Sequence, residues 1–413
     1  MMFDYHAAVR GAFFDIAAVA DSADDIARHA RYLEDGVLFL RDGRVQALLP
    51  WQEGERYLHP QKGYRDLRGK LLLPGFVDAH VHYPQTEMIG AFGEQLLEWL
   101  TTYTFPVESQ FADADYAAEI AQFFVNQLLS HGTTTALVFC TLHPESVDAL
   151  FNEALRLNMR LLAGKVMMDR HAPDYLSESA EQSYRQTREL IERWHQRGRL
   201  GYAITPRFAP TSTPELLAAV RQLREEFPDT WLHTHLSENL NEVAWVKSLW
   251  PEHEHYLDVY HHYRLTGERS VFAHGIHLAD AEWQCLHETG SALAFCPTSN
   301  LFLAAGCFVY RSAGRTRCGW ASVAMLARAL RSVCCAPSAR RIRSASCKAI
   351  ACAPAKPSTM RPSAARAPCA LMRRLAISSP AKRPILWLST RRSRRCSAYA
   401  AGAAKISMSS CSC

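Results

Sequence analysis

From Phe76 onward, short apolar runs alternate with longer stretches whose apolar positions recur three and four apart. The short runs predict strands at Phe76–His82, Thr133–Phe139, Arg160–Val166, Leu200–Thr205, Thr230–Leu236, Ser270–His274 and Ala292–Cys296. Between them, amphipathic helices are predicted near Tyr116–Ser130, Glu145–Leu157, Ser179–Arg197, Pro214–Phe227, Glu242–Trp250 and Asp280–Thr289. Thr213-Pro214-Glu215 is a helix start, with Thr as N-cap and Pro at the first helical position. Strands alternating with helices point to a parallel sheet covered on both faces. Seven strands exceed a single mononucleotide half, and no Gly-x-Gly-x-x-Gly follows any of them, which disfavours a dinucleotide fold. The pattern predicts an α/β fold, a (β/α)8 TIM-type barrel with its site at the C-terminal ends of the strands. The eighth strand belongs after Cys296, and the sequence there is not strand-like.

Residues 1–73 read differently, as strands joined by tight turns. Val37–Leu40 and Val45–Leu48 flank Arg41-Asp42-Gly43-Arg44, a hairpin with Asp-Gly at its turn. Tyr83–Gln110 reads as a long loop; its Trp99, Tyr103 and Phe105 could cover a pocket.

Charge divides the chain again. All 41 acids and all 18 histidines precede residue 289, and the 103 residues from Arg311 on carry 21 Lys and Arg. Ten of the 13 cysteines follow Leu303. Ala, Arg, Ser, Pro and Cys dominate this tail, as in a GC-rich gene read out of frame, whereas ordinary domains carry both signs of charge. The chain therefore divides into 1–73 (a β-sandwich portion), 74–303 (the barrel) and 304–413 (an anomalous tail, expected to be out of frame and disordered). No apolar leader and no run of about 18 apolar residues is seen, so neither a secretory signal nor a membrane span is expected. Three scattered cysteines before Leu303 suit a reducing compartment, the cytoplasm.

The chemistry collects at strand ends. Residues i and i+2 of a strand share a face, so His80 and His82 project together, a bidentate site for a borderline metal such as zinc. The fifth strand adds His233 and His235, and the sixth adds His274. His235 is nearer the mouth and is taken as the ligand, with His233 packed in the layer below. Glu238, just past His235, can reach a metal-held water and move its proton. Arg207-Phe208 follows the fourth strand and suits a planar, carbonyl-bearing ligand. The Gln85 amide both donates and accepts, matching the edge of a purine. Cys140 and Cys296 read as small core residues. His171, His253, His255, His261 and His262 read as surface residues.

These residues resemble the amidohydrolase superfamily and, within it, the guanine deaminases. The carriers are Pro-Gly-Phe-Val-Asp-Ala-His-Val-His-Tyr-Pro-Gln (74–85), Leu-Leu-Glu-Trp-Leu (96–100), Tyr-Thr-Phe-Pro (103–106), His-Gly-Thr-Thr-Thr (131–135), Thr-Pro-Arg-Phe (205–208), Thr-His-Leu-Ser-Glu-Asn (234–239), Ala-His-Gly (273–275) and Cys-Pro-Thr-Ser-Asn-Leu (296–301). The resemblance implies one zinc ion per chain on His80, His82, His235 and His274. It implies a guanine site formed by Gln85, Arg207, Phe208, His235 and Glu238, with Glu238 as the catalytic proton shuttle. It further implies a barrel with a small β-sandwich built from both chain ends, and hydrolysis of guanine to xanthine and ammonia. The oligomeric state stays open, a homodimer among the options. Two other readings stand beside it: a deaminase or dechlorinase of another heterocycle, and an inactive barrel whose basic tail binds nucleic acid.

The family also carries an aspartate after the eighth strand, in Gly-Thr/Ser-Asp, and no Asp follows Asp280 here, so this chain as written is expected to fold poorly and to have little activity. Residues Ala321–Ala327 back-translate as GCA TCG GTA GCG ATG TTG GCG with chosen synonymous bases. From the third base that string reads Ile-Gly-Ser-Asp-Val-Gly. The A and T of its Asp codon are forced by Met325.

Overall fold

A computed structural model describes residues 4–17, 27–89, 91, 96–303, 305, 319–322 and 385–388. The chain divides into two compact units. Among the described residues, the first holds 4–16, 30–74 and 385–388, and the second holds 17, 27–29 and those from Gly75 to Ser322.

The first unit is a five-stranded sheet. Its strands are β1 (Ala7–Ile16), β2 (Ala30–Arg41), β3 (Arg44–Pro50), β4 (Gly63–Pro74) and a strand near the chain end, Ile385–Leu388. Ile385–Leu388 lies antiparallel to β4, and the order continues β4, β1, β2, β3. β2 and β3 form the expected hairpin, with Arg41 opposite Arg44. Asp42 and Gly43 have φ of 50° and 72°, the two positive values that a tight twisted hairpin needs. Alternate residues point inward and bury Val37 and Phe39 against Ala8 and Tyr5.

The second unit is a barrel of parallel strands. β5 (Phe76–His82), β6 (Thr133–Phe139), β7 (Arg160–Gly164), a two-residue strand β8 (Val166–Met167), β9 (Leu200–Pro206), β10 (Trp231–Leu236), β11 (Ser270–His274) and β12 (Ala292–Phe295) follow in chain order. β8 pairs only with β9, and the others lie side by side as β5-β6-β7-β9-β10-β11-β12. The eighth place, where the sequence shows no strand pattern, is held by β13 (Gly319–Ser322), parallel to β12 with Phe295 opposite Ser322. A parallel ladder uses main-chain groups alone, so four residues can take this place without a strand-like pattern. The expected disorder of the tail concerns residues outside the described ones.

Helices Ala114–Ser130, Pro144–Arg156, Ala180–Trp194, Pro214–Glu226, Leu240–Leu249 and Asp280–Thr289 occupy the predicted stretches. Thr213 caps its helix by accepting from the Leu216 amide. One buried cluster combines Ala79, Ala203, Ala273, Ala294 and Cys296 with Leu137, Leu162 and Trp231. A larger cluster joins strand residues to residues of the surrounding helices. At Gly164 a Cβ would lie 1.7 Å from the Ala203 carbonyl oxygen, so only glycine permits β7 and β9 to approach there.

Two sequence expectations need correction. Tyr83–Gln110 is not an open loop. It holds helical turns at Thr86–Met88, Leu96–Trp99, Leu100–Thr104 and Phe105–Ser109. Leu96, Trp99, Leu100 and Phe105 are buried together, and packing orders what lacks a long period. The second is the reading of five histidines as surface residues; helix Tyr256–His262 lies among them. His261 and His262 on it are exposed, as is His171, while His253 and His255 are half-buried. Among the described residues no helix is long and apolar enough to cross a membrane.

Candidate active site

The C-terminal ends of β5, β10 and β11 bring four imidazoles together. Ligand nitrogens of His80, His82 and His235 lie within 4.8 Å of one another. The Nε2 atoms of His82 and His235 are 3.1 Å apart. Two ligands of one tetrahedral zinc, each at ~2.0–2.1 Å, would stand roughly 3.4 Å apart. The His274 ring is 5.5 Å from that of His235, stacked at 17°.

Most of these rings have their second nitrogen held. His80 Nδ1 lies 2.9 Å from His233 Nε2. His235 Nδ1 donates to the Arg207 carbonyl over 2.8 Å. His274 Nδ1 donates to Asn300 Oδ1 over 2.7 Å. Such partners fix ring orientation and tautomer and leave Nε2 free to bind a metal. His82 Nδ1 is buried with no partner. Burial, then neighbouring charge, holds His80, His82 and His235 well below the usual imidazole range, so they are neutral donors. Burial also lowers His274, but Cys296, Asn300 and Glu242 outweigh it and raise it. The three neutral imidazoles of His80, His82 and His235 fit a borderline divalent ion. Phe139 packs on this cluster, stacked on His82 at 4.5 Å, and shields it from water.

The strand ends are bent sharply. Ser237 and His274 have φ of 47° and 73°, values that side-chain-bearing residues rarely adopt. The turn after β10 brings Glu238 back over the site, with Oε1 3.4 Å from His274 Nδ1. Burial pushes the Glu238 carboxyl up to about 8, with Arg207 pulling the other way. Behind it, Glu242 Oε2 accepts the Glu238 and Asn239 amides, which pins the turn.

Arg207 and Phe208 follow β9. The Arg207 carbonyl faces His235, and its guanidinium pairs with Glu108. Phe208 is 5% exposed and packs with Met88, Trp99 and Phe105. Gln85 is half-buried at the start of the turn after β5.

The sequence reading placed His233 as packed in a lower layer. The structure buries it completely, with Nε2 on His80. Cys140 is buried in the core. Cys296 is also a core residue, yet its Sγ lies within 4.8 Å of donor nitrogens of His80 and His274. Sequence reasoning missed Glu108, Asn300 and Phe139. Asn300 lay inside the Cys-Pro-Thr-Ser-Asn-Leu stretch, but nothing in the sequence ties Glu108 to Arg207 across about a hundred residues.

The model of the amidohydrolase family matches residues 71–316. Over 306 residues the chain is 58% identical to guanine deaminase of Escherichia coli strain K12, covering 74% of this chain and 70% of that protein. It is 44% identical to a probable guanine deaminase of Deinococcus radiodurans, covering 61% of this chain but only 57% of that protein. The solved structure of the E. coli enzyme superposes with a TM-score of 0.76 at 55% identity, covering 78% of this chain and 74% of that one. Guanine deaminase of C. acetobutylicum, with guanine bound in its active site, superposes with a TM-score of 0.72 at 29% identity, covering 78% and 75%.

Proposed function

Because this chain belongs to the amidohydrolase family, we propose that its barrel is built to bind one zinc ion and to hydrolyse guanine to xanthine and ammonia. The carrying observation is the convergence of His80, His82 and His235, with Glu238 and Arg207 buried beside them. His80, His82, His235 and His274 would hold the ion. His233, the Arg207 carbonyl and Asn300 would keep three of those rings aimed. Zinc, when bound, supplies a Lewis acid that brings the pKa of a water to about 7.

The chain's own groups do the rest. Arg207 donates to the purine carbonyl, Gln85 pairs with a ring edge, and Phe208 packs against the face. As the water oxygen bonds to C2, Glu238 takes one of its protons and delivers it to ring N3. Glu238 then carries the remaining hydroxyl proton to the exocyclic amine, the bond from C2 to that amine breaks to release ammonia, and the C2 oxygen becomes the carbonyl of xanthine. Free thiols at Cys140, Cys285 and Cys296 suit a reducing compartment, which we infer to be the cytoplasm.

Two measurements check the site. Zinc content per chain should fall sharply in His82→Ala and in His274→Ala, and equal zinc in all three proteins would remove the ligand assignment. Arg207→Ala should lower kcat/KM on guanine about 10-fold or more, since a buried unpaired group costs ~1–3 kcal/mol. Unchanged efficiency would make Arg207 purely structural. A screen with guanine, adenine, cytosine and triazines separates this reading from a different heterocyclic substrate. The nucleic-acid reading rests on a tail of which only residues 319–322 and 385–388 are described, and it predicts a salt-sensitive shift lost on removing 311–413.

A further inference from the structure

We propose that Glu108 is the positioning residue that aims Arg207 at the carbonyl edge of the purine and so sets selectivity for a 6-oxo ring; this rests on the guanine reading above. Both side chains are buried, Arg207 at 3% and Glu108 at 1% exposure. The pairing is bidentate, with Nη1 donating to Oε2 over 2.7 Å and Nη2 to Oε1 over 3.1 Å.

A guanidinium has five N–H groups in a fixed plane. An end-on carboxylate takes one from each Nη. The Nε–H and one Nη–H remain side by side along the lateral edge, forming a second fork. Guanine offers O6 and N7 as adjacent acceptors, the pattern to which an arginine fork is complementary. A purine without the 6-oxygen lacks one of them, and a 6-amino purine opposes donor to donor. Glu108 also supplies the counter-charge without which a buried guanidinium would be uncompensated.

The supporting element is local. Glu108 lies on the helical turn Phe105–Ser109, and Phe105 three residues earlier lies under the same guanidinium, its ring centre 5.3 Å from Arg207 Cζ. Positions i and i+3 share a side, so one short turn provides both the charge and the platform. The turn is held by the buried cluster of Trp99, Leu100 and Phe208. Arg207 is thereby fixed on its far edge, while its carbonyl is fixed by His235.

The test uses the zinc-loaded 413-residue chain, with the frame-corrected chain in parallel. The probes are guanine and 2-aminopurine, which carries hydrogen in place of the 6-oxygen. Binding of 2-aminopurine is followed by its own fluorescence, and guanine by competition against it. The wild-type chain should prefer guanine. In Glu108→Gln that preference should shrink about 10-fold, because 2-aminopurine meets the fork only through N7 and so loses less affinity than guanine, with zinc content retained. Glu108→Asp keeps the charge but cannot span both Nη atoms, so it should show an intermediate preference, and it serves if the Gln variant does not fold. Equal weakening of both ligands would mean a merely structural role, and an undiminished preference in both variants would equally overturn the proposal. A wild-type chain with no preference would instead overturn the guanine reading, and this proposal with it.

Discussion

A gene corrected by a one- or two-base shift between the codons for Leu303 and Arg311 is expected to yield an enzyme about 10²–10⁴-fold faster on guanine than the 413-residue chain. The reason is the carboxylate that the family carries after its eighth strand. In this chain the last acid is Glu288. β13 ends at Ser322, in register with Phe295 and so level with the strand ends that bear the site. The alternate frame places its Asp codon across positions 324 and 325, just beyond Ser322. Without that aspartate, the nucleophilic water loses one oriented hydrogen-bond acceptor, and Glu238 must act alone. Resequencing should show the slip, and assays of the two proteins side by side should show the gap. Clean reads in the present frame, together with full turnover by the 413-residue chain, would refute the idea.

Glu238→Gln, made in the frame-corrected chain, should lose about 10²–10⁴-fold in kcat while zinc content stays unchanged. The amide keeps the volume of the carboxyl and a hydrogen-bonding end. It cannot accept and release a proton at the required moment. Glu238 is 4% exposed, so no bulk water substitutes for it. Its near neighbour Glu242 is engaged by the Tyr256 hydroxyl and two backbone amides, which keeps it from replacing the lost group. Retained turnover with normal zinc would place the proton shuttle elsewhere.

Much of this was legible because period and spacing carry the information. Apolar runs bounded β5, β6, β10 and β11 nearly to the residue. The i, i+2 spacing put His80 and His82 on one face, and three strand ends then named the cluster. What was not legible depends on distance along the chain. Glu108 meets Arg207 only after the segment from Leu96 to Ser109 has packed, and a single acid in an aperiodic stretch carries no sign of its partner. Phe139 closes β6 as one more apolar residue, and only the fold turns it toward four imidazoles. The turn at Ser237 that returns Glu238 over His274 needs a positive φ on a serine, which no local rule for serine foretells. The helical turns between Tyr83 and Gln110 escaped for the converse reason, since each is too short to show a period.

β5 is paired along β6, with a break in register between Asp78 and Val81. Among the described residues no hydrogen-bonded ladder joins its other edge to β13. The strand that bears His80 and His82 is therefore tied on one side, whereas β10 and β11 are tied on both. In deuterated water, the amides of Val77–Val81 should lose their protons well before those of Leu232–Leu236, by local opening that leaves the rest of the barrel closed. The exchange clock of the barrel then starts at its first strand. Any ion held between β5 and β10 acts as a staple across that slack edge, and loading zinc should slow exchange in β5 more than in any other strand.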